Sequence, residues 1–141
     1  MSIRISIIGG LMAIVMVAAS VLPATHVSAA SCNDRTYRQG STGTCVKHIQ
    51  AMLNGISSAF AYTPEITGDT LARDGIFGAK TTSKVKQAQN FTNITRDGVV
   101  GPKTWSKICF LAGQSGFLHS SSFQLQAAWY AARDAGCAVK Y

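Results

Sequence analysis

Two nine-residue stretches place cations at matched positions. RDGIFGAKT (73–81) and RDGVVGPKT (96–104) agree at six of nine positions and start 23 residues apart. Arg73 and Arg96 precede an Asp-Gly pair, and Lys80 and Lys103 follow it. A guanidinium holds a carboxylate through two parallel hydrogen bonds, and an ammonium holds it as a point charge. If the four cations share one rim, that rim can bind carboxylates or amides. Tyr62, upstream of the first copy, offers a ring for a flat apolar face. An ordinary solvated charge is the alternative for each cation. Phe77 and Trp105 read as core residues rather than ligand platforms.

Other chemistries lack their residues. Two carboxylates facing one bond could cleave a glycoside, but there are only six acids, and Asp74 and Asp97 sit in the repeated turns. Their expected role is local, accepting backbone N–H bonds and favouring the helix start that follows. Beyond residue 30 the histidines are His48 and His119, without ligand-like spacing, and no CxxC pair occurs. No zinc site follows, and a Cys–His nucleophile would need a free thiol. The reading is a binding protein, not an enzyme, with no cofactor.

Met1 to Ala30 starts with one basic residue, Arg4, runs apolar from Ile5 to Leu22 and ends in small residues. That is the pattern of a secretory signal peptide cut after Ala30. A membrane anchor is the alternative. So is a lipid on Cys32, although Ala29 stands where a lipoprotein signal usually has Leu. The four cysteines, Cys32, Cys45, Cys109 and Cys137, then read as two disulfides with three connectivities open. Arg4 is the only charge before residue 31, so the remainder carries a net charge of +6. A secreted monomer of this charge suits anionic surfaces. Nucleic acid is not expected, because the lysines are dispersed and no reading motif is present. No transmembrane segment is expected after signal cleavage.

The elements that must position the cations are helical. Val46, Ile49, Gln50 and Leu53, with Met52 and Ile56 beside them, predict a helix that stops at Asn54-Gly55. Residues 57–72 read as a loop. Each Asp-Gly is a turn, and Gly78 and Gly101-Pro102 launch the next two helices. The second helix covers Ala79 to Phe91, with Asn93 as a left-handed stop. Trp105, Ile108, Cys109 and Ala112 mark the third. Past the serines at 120–122, Leu125, Ala128, Trp129 and Ala132 predict a fourth helix capped by Gly136, with Cys137 stapling it back. The fold class is all-α, a small three-helix bundle with structured Asp-Gly turns, a C-terminal helical extension and two disulfides.

In order and spacing these residues resemble the bacterial peptidoglycan-binding domain, a three-helix module often attached to cell-wall hydrolases. Its opening pattern matches Gly40, Ser41, Gly43, Val46, Gln50 and Leu53, with Ile49 in place of Leu. Its middle matches Asp74, Gly75, Phe77, Gly78 and Thr81, with Val85 and Gln89 downstream. Its end matches Asp97, Gly98, Gly101, Pro102, Thr104 and Trp105. Ala88 replaces a Phe of the pattern, with Phe91 available to fill the volume, and Asn93 replaces a Gly. The first loop is longer than usual. The resemblance divides the chain into the signal peptide (1–30), an N-terminal segment (31–37), the domain (38–111) and an extension (112–141) without a family counterpart.

It implies a secreted or wall-associated, non-catalytic binder of peptidoglycan or another anionic wall polymer. The groove would lie beside the two turns and be rimmed by Arg73, Arg96, Lys80, Lys103 and Tyr62. A separate wall hydrolase is a further partner the resemblance implies. The alternative is a secreted cationic protein that uses the same scaffold for a protein partner or an anionic cell surface.

Overall fold

The computed structural model describes residues 31–141, so the signal-peptide reading lies outside the described residues. A 3-10 turn at Cys32–Asp34 leads into five helices: α1 (Thr44–Ala59), α2 (Ala79–Phe91), α3 (Pro102–Ala112), α4 (Ser115–Leu118) and α5 (Phe123–Asp134). Among the described residues, extended pairing is limited to two isolated bridges, Tyr37 with Val100 and Thr42 with Ile76. The all-α bundle and its two disulfides agree with the sequence reading.

Helix α1 does not stop at Asn54-Gly55 but runs on to Ala59. Both residues have partners elsewhere in the fold. The Asn54 amide clamps the backbone of Leu71, donating to its carbonyl at 2.9 Å and accepting its N–H at 2.8 Å. At Gly55 a Cβ would stand 2.2 Å from the Cβ of Ala128 and 2.9 Å from the Gln124 carbonyl. The glycine is therefore the crossing point of α1 and α5, where a side chain would hold the helices apart.

Helix α1 packs most extensively against α5. The C-terminal segment thus shares the core of the bundle. Ala128, Trp129 and Ala132 meet Ile49, Met52, Leu53 and Ile56 in one buried cluster with Phe77, Trp105 and Ile108. Burying a large apolar side chain contributes about 1.5–3 kcal/mol. Both indoles keep their polar edge satisfied: Trp105 Nε1 donates to the Arg35 carbonyl at 2.8 Å, and Trp129 Nε1 to the Lys140 carbonyl at 2.9 Å.

The disulfide connectivity left open by the sequence is Cys32–Cys45 and Cys109–Cys137. The first takes up the Cys32 sulfur that a lipid would need and ties the chain before the domain to α1. The second fixes the segment after α5 to α3, as expected of Cys137.

Helices α2 and α3 follow Gly78 and Gly101, with Pro102 in the first helical turn. Asn93 is left-handed at φ 53°, as its position after α2 implies. The connection after α1 is held at several points. Ile66 and Leu71 are buried. Lys84, also buried, donates from Nζ to the carbonyls of Thr67 at 2.7 Å and Gly68 at 3.1 Å. Phe91 meets Phe60 at 4.7 Å between ring centres, beside the small Ala88.

Candidate functional site

Both Asp-Gly turns hang from one segment, residues 37–43, which itself turns at Gln39-Gly40. Gly40 donates to the Phe77 carbonyl and Phe77 to the Ser41 carbonyl, each at 2.9 Å. Tyr37 and Val100 exchange both backbone bonds, at 3.1 and 2.8 Å. Gly75 (φ 78°) and Gly98 (φ 75°) take the left-handed conformation that makes the Asp-Gly pair a turn.

Each turn is organised by a glutamine from the preceding helix. Gln50 Nε2 reaches Asp74 Oδ1 at 2.8 Å, the Ile76 carbonyl at 3.0 Å and Thr81 Oγ1 at 3.4 Å, and Gln50 Oε1 accepts the Gly75 N–H at 3.0 Å. Gln89 repeats this with Asp97 Oδ1 at 2.7 Å, the Val99 carbonyl at 3.0 Å, Thr104 Oγ1 at 3.0 Å and the Gly98 N–H at 2.9 Å. Both glutamines are buried, so an unpaired amide would be costly. Asp74 and Asp97 also accept the N–H of Ile76 and Val99 at 2.9 and 2.8 Å, the local role expected of them. These N–H bonds first, and the glutamine amides second, hold both carboxyls below their ordinary pKa.

The helices repeat as well as the turns, which the Asp-Gly spacing alone does not reveal. The signal was present: VKHIQ at 46–50 and VKQAQ at 85–89 share Val-Lys-x-x-Gln, 39 positions apart. The structural unit that repeats is a helix together with the turn its glutamine holds.

A cavity opens beside each turn. The first, about 240 Å³, is lined by Asp74, Ile76, Gly78, Ala79, Lys80 and Thr81, together with Gln50, Leu71 and Ala72. The second, about 350 Å³, is lined by Asp97, Val99, Gly101, Pro102, Lys103 and Thr104. Six positions of the first correspond one for one to the six of the second. Lys80 and Lys103 therefore occupy equivalent places on separate cavities. Lys80 also borders a neighbouring cavity of about 200 Å³ formed with Thr67–Leu71, Ser83, Lys84 and Gln87.

The remaining candidates lie elsewhere. Arg73 and Arg96 are exposed and line neither turn cavity, and Tyr62 is fully exposed outside both. The His48 pKa is lowered mainly by burial, opposed by Asp134, and further lowered by Arg73. Phe77 and Trp105 are core residues. Among the described residues no group of three or more His, Cys, Asp or Glu could hold a metal ion, and no helix is long and apolar enough to cross a membrane.

Residues 42–108 match the family described as "Putative peptidoglycan binding domain". This segment, 67 of the chain's 141 residues, covers α1, α2, both turns and α3 as far as Ile108. Two solved structures are similar. One is a fused Zn-dependent amidase/peptidase/peptidoglycan-binding domain-containing protein from Clostridium acetobutylicum, at 31% identity and a TM-score of 0.43, over 53% of this chain and 29% of that one. The other is a peptidoglycan-binding protein from Clostridioides difficile in complex with glutamine hydroxamate, at 30% identity and a TM-score of 0.42, over 54% of this chain and 41% of that one. The chain thus spans well under half the length of either. No curated protein matches.

Proposed function

We propose that the protein is a secreted, non-catalytic module that binds bacterial cell-wall peptidoglycan at the cavities beside its two Asp-Gly turns. The observation that carries this reading is that a segment matching the peptidoglycan-binding family presents the same six-residue cavity twice, each with an exposed lysine. Peptidoglycan offers carboxylates and amides on its stem peptides, which an ammonium can hold. Lys80 and Lys103 make the direct contacts. Arg73, Arg96 and Tyr62 are peripheral and supply long-range attraction or an outer contact. The net charge of +6 left after signal cleavage draws the chain towards anionic polymer and speeds encounter.

Co-sedimentation of the oxidised protein with purified peptidoglycan, at low and high salt and beside a turbidity assay for lysis, tests this. Pelleting that survives salt, without lysis, is the expected result. Pelleting lost entirely in salt would mark a purely electrostatic binder, the secreted cationic protein of the alternative reading. Clearing of the suspension would mark an enzyme.

A further inference from the structure

Building on the wall-binding reading, we infer that the domain holds two stem peptides at once, one in each turn cavity, and that it reads peptide rather than glycan. The two cavities share no lining residue, so filling one leaves the other free. Each presents the same chemistry: an ammonium (Lys80, Lys103), a carboxylate (Asp74, Asp97) and two apolar walls (Ile76 with Ala79, Val99 with Pro102). Among the described residues the one ion pair is Arg133–Asp134, so neither lysine is neutralised within the fold. A ligand that matches this set carries a carboxylate for the lysine, an N–H or ammonium for the aspartate and small apolar side chains between them. That is a short peptide.

A flat sugar face needs a ring to stack on, and no aromatic residue lines either cavity. The volumes, about 240 and 350 Å³, fall at or below the lower end of the roughly 300–1,000 Å³ of drug-sized pockets, which suits a segment of very few residues. The turns are paired to positions 42 and 37 of one segment that turns between them, which keeps the paired positions closer than the roughly 18 Å that five fully extended residues would span at ~3.3–3.6 Å each. Two weak sites this close on one rigid body bind a polymer with many stems more tightly than either binds a single stem.

The experiment is an NMR titration of ¹⁵N-labelled, oxidised protein with soluble stem peptides released from purified peptidoglycan, and separately with the glycan strands of the same digest. Stem peptides should shift amides at both 75–81 and 98–104. Lys80→Glu should abolish only the first set and Lys103→Glu only the second, with the remaining spectrum unchanged as proof of folding. Shifts confined to one turn, loss of both sets in either single variant, or a response to glycan strands in place of peptide would overturn the inference. Co-sedimentation of the unaltered protein with intact wall separates the failures. If it does not pellet, the wall-binding reading falls and this inference with it. If it pellets but only one turn responds, this inference falls alone.

Discussion

The first helix and turn, and the second helix and turn, are two versions of one device in different settings. Gln50 and Gln89 stand 39 positions apart, whereas Asp74 and Asp97 stand 23 apart. The glutamine reaches its aspartate across 24 residues in the first copy and 8 in the second. Sixteen extra residues therefore lie between the glutamine and its aspartate in the first copy, seven of them in the longer α1 and nine in the connection after it, yet the amide makes the same four bonds. A turn held by a buried side chain does not depend on the length of the chain that leads to it. The extra length is free to shape the surface, and it builds the additional cavity that Lys80 borders. The helices differ too. Helix α1 carries Gly55 and is covered by α5, while the second copy has no comparable glycine crossing.

That contrast is sharpest at Gly55. Gly55→Ala forces α1 and α5 apart and should cost about 3 kcal/mol, the upper part of the usual overpacking range. Urea unfolding measures it. An effect below about 1 kcal/mol would mean the crossing is loose and the first copy does not lean on α5.

Next come the glutamines. Gln50→Ala and Gln89→Ala each strand a buried glycine N–H and take one donor from a carbonyl and a carboxylate that keep other bonds, and each should lower stability by about 2–3 kcal/mol. Gln89→Ala should be the larger, because its threonine contact is shorter, 3.0 against 3.4 Å. A silent variant would show that one copy has other means of holding its turn.

The turn glycines separate the copies by smaller amounts. Both have positive φ, so alanine should cost about 1–2 kcal/mol at either. At Gly75 the new Cβ meets the Gly43 carbonyl at 3.0 Å, a backbone atom that cannot step aside. At Gly98 it meets the side chains of Thr82 at 2.9 Å and Lys86 at 3.0 Å, which can move. Gly75→Ala should therefore melt lower than Gly98→Ala in a thermal scan, and the reverse order would contradict the rigid contact.

The smallest effect is in acid. Asp74 and Asp97 are held below their ordinary value of 3.8 in the folded state. The unfolded chain therefore binds protons first as pH falls. Their contribution is complete above 3.8 and is lost as pH drops through the lower folded-state values. Asp74→Asn and Asp97→Asn should each flatten the fall of Tm below about pH 4, by similar amounts, and the double variant should be flattest. Unchanged slopes would mean the carboxylates add nothing beyond an amide oxygen.

Much of the bundle could be read from residue order. The periodicity of α1 to α3, the helix starts at Gly78 and Gly101-Pro102, the left-handed Asn93 and the core roles of Phe77 and Trp105 all rest on local rules of backbone and burial. The end of α1 could not be read that way. Asn54-Gly55 is a stop signal by local chemistry, and it is overridden because Asn54 clamps Leu71 and Gly55 receives α5. A shared rim of four cations also looked reasonable from matched spacing. In the structure Lys80 and Lys103 line separate cavities and Arg73 and Arg96 line neither.

By itself, then, the sequence determined the elements whose causes lie within a few residues: helices, turns, caps and the even cysteine count. It also held the Val-Lys-x-x-Gln repeat, whose meaning is not local. The tertiary structure alone decided what depends on residues far apart in the chain: which cysteines join, why a glycine sits inside a helix, and that each turn is held by a glutamine from the helix before it. Hydrogen bonds and close packing act through distance in space, and 24 residues of chain can close to 2.8 Å.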